Sequence, residues 1–114
     1  MKILKSTKNL TLVDQYNLMR NPETEKMSDH VGEEFALEKY MLREEERADT
    51  GETVRIVSFM SNGKIYATNS STFCREFEAI LDMAECAGET VNKIRVSEGT
   101  SKKGRNYITC VYVN

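Results

Sequence analysis

Two tyrosines stand beside cations in segments that read as strands, and that pairing of residue types suits unpaired nucleic acid. Bases stack on flat rings for about 1–3 kcal/mol each whatever their sequence, while cations follow the phosphates. Tyr66 follows Lys64, and its parity is opposite to that of Ile65 and Ala67. If those two point inward, Tyr66 points to solvent or ligand. Tyr107 stands opposite in parity to Ile108, Cys110 and Tyr112, beside Arg105, Lys102 and Lys103. A guanidinium next to a ring adds a cation–π contribution. Arg55, Lys93 and Arg95 are placed to extend a positive track, with Tyr40 as a further aromatic position. Each residue also has an ordinary reading: a half-buried strand tyrosine, a cross-strand packing pair, a solvated charge.

Other chemistries find less support. The three cysteines, Cys74, Cys86 and Cys110, form no CxxC pair, and the single histidine, His30, lies far from them in sequence. A zinc site needs ligands clustered at short spacing, so neither a metal nor another cofactor is expected. Gly99 and Gly104 have the separation of a phosphate loop, but no Lys-Ser/Thr follows and no helix begins there. No Ser/His or Cys/His couple suggests itself. The expectation is a binding protein and not an enzyme.

The chain has 114 residues, with 16 basic and 18 acidic side chains and a net charge of −2. Such a balance disfavours a duplex binder with a wholesale basic excess. Charge is nevertheless segregated: residues 91–114 carry five cations against Glu98 alone, while residues 33–52 are strongly acidic. One positive groove is compatible with that distribution. No apolar run approaches the ~20 residues of a membrane span, and the first residues lack a secretory leader. Free thiols fit a reducing compartment, so a cytoplasmic protein is expected.

The elements that must position these residues read as follows. Thr11 and Asp14 frame a helix start, Leu12, Val13, Tyr16 and Met19 form one stripe, and Pro22 ends the segment. So short a helix needs a surface to dock on, either the main body or a second subunit. Residues 1–31 are thus expected as an arm with a short helix, and residues 32–114 as the binding domain. Glu33 to Arg43 mixes both parities, as a long strand does when it bulges and changes face; helix is the rival assignment. Residues 44–52 form a polar, acidic loop.

Thr53 to Met60 is β-branched and apolar, Asn62-Gly63 is a strong hairpin signal, and Lys64 to Thr68 returns as its partner. Ser70, Ser71 and Thr72 offer helix caps; Phe73, Phe77, Ile80, Leu81 and Ala84 form one stripe, and Gly88 closes it. Val91–Ser97 and Arg105–Val113 are strands about a turn at Gly99–Gly104. Three strands, a helix and two strands is the order of an OB-fold, a five-stranded, partly open barrel.

The run Gly99-Thr100-Ser101-Lys102-Lys103-Gly104, together with Ser61-Asn62-Gly63-Lys64-Ile65-Tyr66 and the Ser/Thr cluster and helix that follow, resembles the small phage-encoded single-stranded DNA-binding proteins, in particular those of protein-primed phages of Gram-positive hosts. The resemblance covers about two-thirds of the chain. It implies an OB-fold that coats displaced single strands during replication, with Tyr66 at a position where the family carries a tyrosine on the DNA surface. The family's other tyrosines have no clear counterparts, and the acidic loop at 44–52 departs from its pattern. Single-stranded DNA is therefore the expected partner. Replication proteins are a further candidate for the acidic loop, and a second copy for the N-terminal helix. The rival functions are a protein–protein adaptor on the same type of fold and an RNA binder, since stacking does not read the 2′-hydroxyl.

Overall fold

A computed structural model describes all residues 1–114. The chain opens with a strand, β1 (Lys2–Ser6), and the helix capped by Thr11 comes second, α1 (Leu12–Met19). A two-residue strand β2 (Glu25–Lys26) and a 3-10 turn at Met27–His30 lead into β3 (Glu34–Ala36) and β4 (Lys39–Glu46). Next come the hairpin β5 (Thr53–Ser61) and β6 (Lys64–Thr68), the helix α2 (Ser71–Ala87), and a second hairpin, β7 (Lys93–Thr100) and β8 (Asn106–Tyr112). Asn62 and Gly63 both adopt positive φ, 51° and 77°, which matches the twist of a two-residue hairpin.

The strands form two sheets that do not close on each other, one ordered β1-β4-β5-β6-β2 and the other β3-β7-β8. The mixed parity after Gly32 has a structural cause. The chain passes from one sheet to the other at Leu37-Glu38: β3 pairs with β7, and β4 pairs with β5. Phe35 and Leu42 therefore reach the same core from opposite parities. Strands that turn a corner between packed sheets do so at such irregularities.

Between the sheets lie Leu42, Val57, Phe59 and Tyr66 of the first, Ile94, Val96, Ile108 and Cys110 of the second, and the Phe73–Phe77–Leu81 stripe of α2. Ser70 caps that helix at the Phe73 amide, and Gly88 ends it in a left-handed conformation, as the stripe and its flanking residues imply.

The far side of the first sheet is also covered. There α1 buries Leu18 against the sheet face that carries Met41, Arg43, Ser58 and Ile65. An isolated eight-residue helix is unstable in water, and polar contacts fasten this one. Thr11 and Asp14 form a reciprocal capping box. Lys39 Nζ donates to Asp14 Oδ2 at 2.7 Å. The buried Arg43 guanidinium donates to the Leu18 carbonyl at 3.2 Å and to Ser58 Oγ at 2.9 Å.

Two sequence expectations change as a result. Residues 1–31 are not a separate arm, because β1 extends the first sheet and Met27 is fully buried in the core. The acidic loop is shorter than 44–52, because Glu44, Glu45 and Glu46 belong to β4. Glu45 meets Arg20 at 3.2 Å and Arg43 at 3.4 Å, and Glu44 meets Arg55 at 3.6 Å. Those carboxylates are matched by cations of the same molecule.

Candidate nucleic-acid interface

The outer face of the second sheet, with the turn at its end, gathers five of the seven basic residues picked out in the sequence. Along β7 it presents Lys93, Arg95, Ser97 and Gly99, and along β8 Tyr107, Thr109 and Val111. The pairs across the ladder are Arg95 with Val111, Ser97 with Thr109 and Gly99 with Tyr107. Strand alternation turns Ile108 and Cys110 into the core and leaves Tyr107 38 % exposed. Its ring lies flat over Gly99: a Cβ at that glycine would sit 2.5 Å from the ring carbon Cζ, closer than real contacts allow. A bare backbone position thus acts as the bed for an exposed ring.

The turn beside it holds the cations outward. Ser101 and Arg105 close it through the Ser101 amide on the Arg105 carbonyl, 2.8 Å, and the Arg105 amide on Ser101 Oγ, 3.1 Å. Lys102, Lys103 and Arg105 are exposed and form no ion pair. Lys93 and Arg95 both face Glu34 of β3, each at 3.8 Å. Exposed pairs at such a distance are weak, so Glu34 moderates the far end of the face without cancelling it. The face therefore runs from a free basic turn, past a seated ring, to two partly neutralised cations.

Tyr66 is not on a binding surface. It is 6 % exposed and packs against Phe35 (4.6 Å between ring centroids), Phe59 (5.5 Å) and His30 (5.0 Å). Burial pushes its hydroxyl pKa up, with the Glu25 carboxylate acting in the same direction. Tyr66 and Ile65 do face opposite ways, as their parity requires, but the side expected to meet solvent is the core side. Ile65 lies on the face that α1 covers, so both residues are buried. Val54, Ile56, Val57, Phe59 and Met60 occupy both parities of β5, as in a sheet covered on both faces, and that is the sequence feature that points to this outcome.

The remaining expected residues disperse, so the single groove drawn from sequence is not formed. Arg55 turns toward α2, where it meets Glu78 at 3.1 Å. Lys64 stands at the other hairpin near Glu25, at 3.7 Å. Tyr40 is half-buried edge-on against Phe77, and burial raises its pKa. It lines a separate cleft of about 670 Å³ between β1, the β3–β4 corner and the C-terminal end of α2.

Sequence reasoning missed a histidine clasp. His30 Nδ1 lies 2.8 Å from Glu33 Oε2 and Nε2 lies 2.9 Å from Glu25 Oε1, while the ring roofs Tyr66 and Phe35. Burial lowers the imidazole pKa, but hydrogen bonds to Glu33 and Glu25 outweigh it and leave the pKa raised. The three residues are only five and three positions apart, but the 3-10 turn at Met27–His30 that makes them meet carries no periodic pattern to reveal it. Of the thiols, burial pushes Cys74 up to about 11 and Cys110 up to about 12, so neither supplies thiolate at neutral pH. No set of three or more His, Cys, Asp or Glu side chains is arranged to hold a metal ion.

No family model, curated protein or solved structure matches the chain. What the fold and this face define is a mainly β protein of two packed sheets, with one basic, tyrosine-bearing sheet face. No helix in it is long and apolar enough to cross a membrane.

Proposed function

We propose that this chain is an OB-type protein that binds single-stranded DNA without sequence preference and coats it during replication. The fold supports the reading through its order. A first strand (β3 and β4) is shared between two sheets, a meander (β4-β5-β6) leads to a helix, and two strands follow, of which the earlier pairs back to the first strand. The observation that carries the function is the exposed Tyr107 ring, held flat on Gly99 beside Lys102, Lys103 and Arg105. A base stacks on the open side of such a ring while neighbouring phosphates meet the basic turn. Lys102, Lys103 and Arg105 are three cations without carboxylate partners gathered in one turn, which gives a phosphate chain a place to settle on an otherwise acidic molecule.

The test is a fluorescence titration of the full chain with oligothymidine and with duplex DNA at two salt concentrations. The expected result is preference for oligothymidine, with affinity falling by a log–log slope of about −0.7 per phosphate contact. Equal affinity for duplex, or no binding to oligothymidine at low salt, excludes the reading. A matched RNA oligomer separates DNA from RNA preference.

A further inference from the structure

The outer face of the second sheet carries one acidic side chain among its basic ones. Strand alternation sends Glu34 and Ala36 of β3 outward beside Lys93 and Arg95 of β7, while Phe35 enters the core. The rest of β7 and β8 adds no carboxylate there, since the other outward residues are Ser97, Gly99, Tyr107, Thr109 and Val111. Glu34 is therefore the one anionic position on the face proposed to carry the strand.

Glu34 stands directly opposite Arg95 in the β3–β7 register. Its two oxygens are divided between the cations, Oε1 toward Lys93 Nζ and Oε2 toward Arg95 Nη1, each at 3.8 Å. A carboxylate so placed occupies the position that a phosphate would take. The backbone keeps it there: the Val96 amide donates to the Glu33 carbonyl at 3.0 Å, and the Leu37 amide to the Asn92 carbonyl at 2.8 Å, one bond at each end of β3. The ion pairs themselves are weak, because all three side chains are open to solvent. One net positive charge remains at this end, but the place between the cations is taken. Along β7, Arg95 and Lys93 lie four and six residues from Gly99, about 13 and 20 Å at the rise of an extended strand.

We propose that Glu34 ends the phosphate track, so that a bound strand engages the basic turn and the Tyr107 ring and stops short of Lys93 and Arg95. This rests on the strand-binding reading and names what limits the strand's reach. A phosphate nearing Lys93 or Arg95 meets the Glu34 charge inside the ~8 Å over which charges act at physiological salt. At the turn it meets cations alone. With Glu34 neutral, the same two cations extend the track across the sheet.

Titration of full-length Glu34→Gln with oligothymidines of increasing length, over a salt series, tests it. The substitution keeps the side chain's shape and removes its charge, and circular dichroism verifies the fold. Relative to wild type, the log–log salt slope should steepen by about 0.7 for each phosphate gained, one or two in all. Affinity should also go on rising to longer oligomers than it does for wild type. Adding Lys93→Gln and Arg95→Gln to Glu34→Gln should restore the wild-type slope, while the same pair in the wild-type background should leave the slope unchanged. A Glu34→Gln slope equal to that of wild type overturns the proposal. So does a Lys93→Gln and Arg95→Gln pair that flattens the slope of the wild type itself. In both of those outcomes the wild type still binds and the strand-binding reading stands, whereas a wild type that ignores oligothymidine at low salt removes both. If Glu34→Gln does not fold, Glu34→Thr, a residue suited to strands, is judged by the same outcomes.

Discussion

Gly99 and Tyr107 face each other across the β7–β8 ladder, and the tyrosine ring occupies the space that a side chain on Gly99 would need. A ring laid over a strand glycine restores packing that the glycine lacks, and here it seats the hydroxyl end of the ring on bare backbone while the side chain stays 38 % exposed. The relationship makes the two residues a unit.

Tyr107→Ala should weaken oligothymidine binding by about 1–3 kcal/mol, the contribution of one stacked base. Gly99→Ala should show part of the same loss although it removes no binding group, because the added methyl displaces the ring. Titrations well below each variant's melting temperature measure both. Wild-type affinity in a folded Tyr107→Ala protein removes the ring from the interface.

The basic turn contributes charge rather than stacking. Lys102→Glu combined with Lys103→Glu should lower the affinity at low salt and flatten the log–log salt dependence by about 0.7 for each phosphate that the turn no longer engages. The turn itself should survive, because its closure uses the Ser101 amide and hydroxyl and Arg105 backbone groups, none of them on Lys102 or Lys103. An unchanged slope places the phosphates elsewhere.

Tyr66 should behave as a core residue. Tyr66→Ala empties the space between Phe35, Phe59 and His30 and should cost about 3–5 kcal/mol of folding stability, as other large-to-small aromatic replacements do. Tyr66→Phe keeps the volume and should bind oligothymidine like wild type. Urea unfolding of the first and titration of the second check the assignment, and a folded Tyr66→Phe protein with tenfold weaker binding contradicts it.

The His30 clasp makes stability depend on pH. Its pKa in the folded protein is raised above the ordinary 6.5, so the folded state holds the proton more tightly than the unfolded chain. The stabilisation is fully present below pH 6.5 and is lost as pH rises through the folded-state value. Melting temperatures between pH 5.5 and 8.5 should fall over that range for the wild type and less for His30→Gln. Parallel pH profiles for the two proteins refute the clasp.

Much of the architecture was legible in the chain itself, because local rules governed it. Asn62-Gly63 set a hairpin by backbone conformation, Thr11 and Asp14 capped α1, and the Phe73–Phe77–Leu81 stripe with Gly88 defined α2. Alternation along β8 separated Tyr107 from Ile108 and Cys110, and the cation-rich stretch of residues 91–114 supplied the turn beside it. Tertiary structure decided which side of each strand met solvent. Alternation gives two faces but does not say what covers either, so Tyr66 became core once α1 lay over the opposite face. Glu25, His30 and Glu33, by contrast, lie in one short segment, and the 3-10 turn at Met27–His30 gathers them. Tertiary packing sent Arg55 to Glu78 of α2, a contact between segments whose approach only the folded sheets determine.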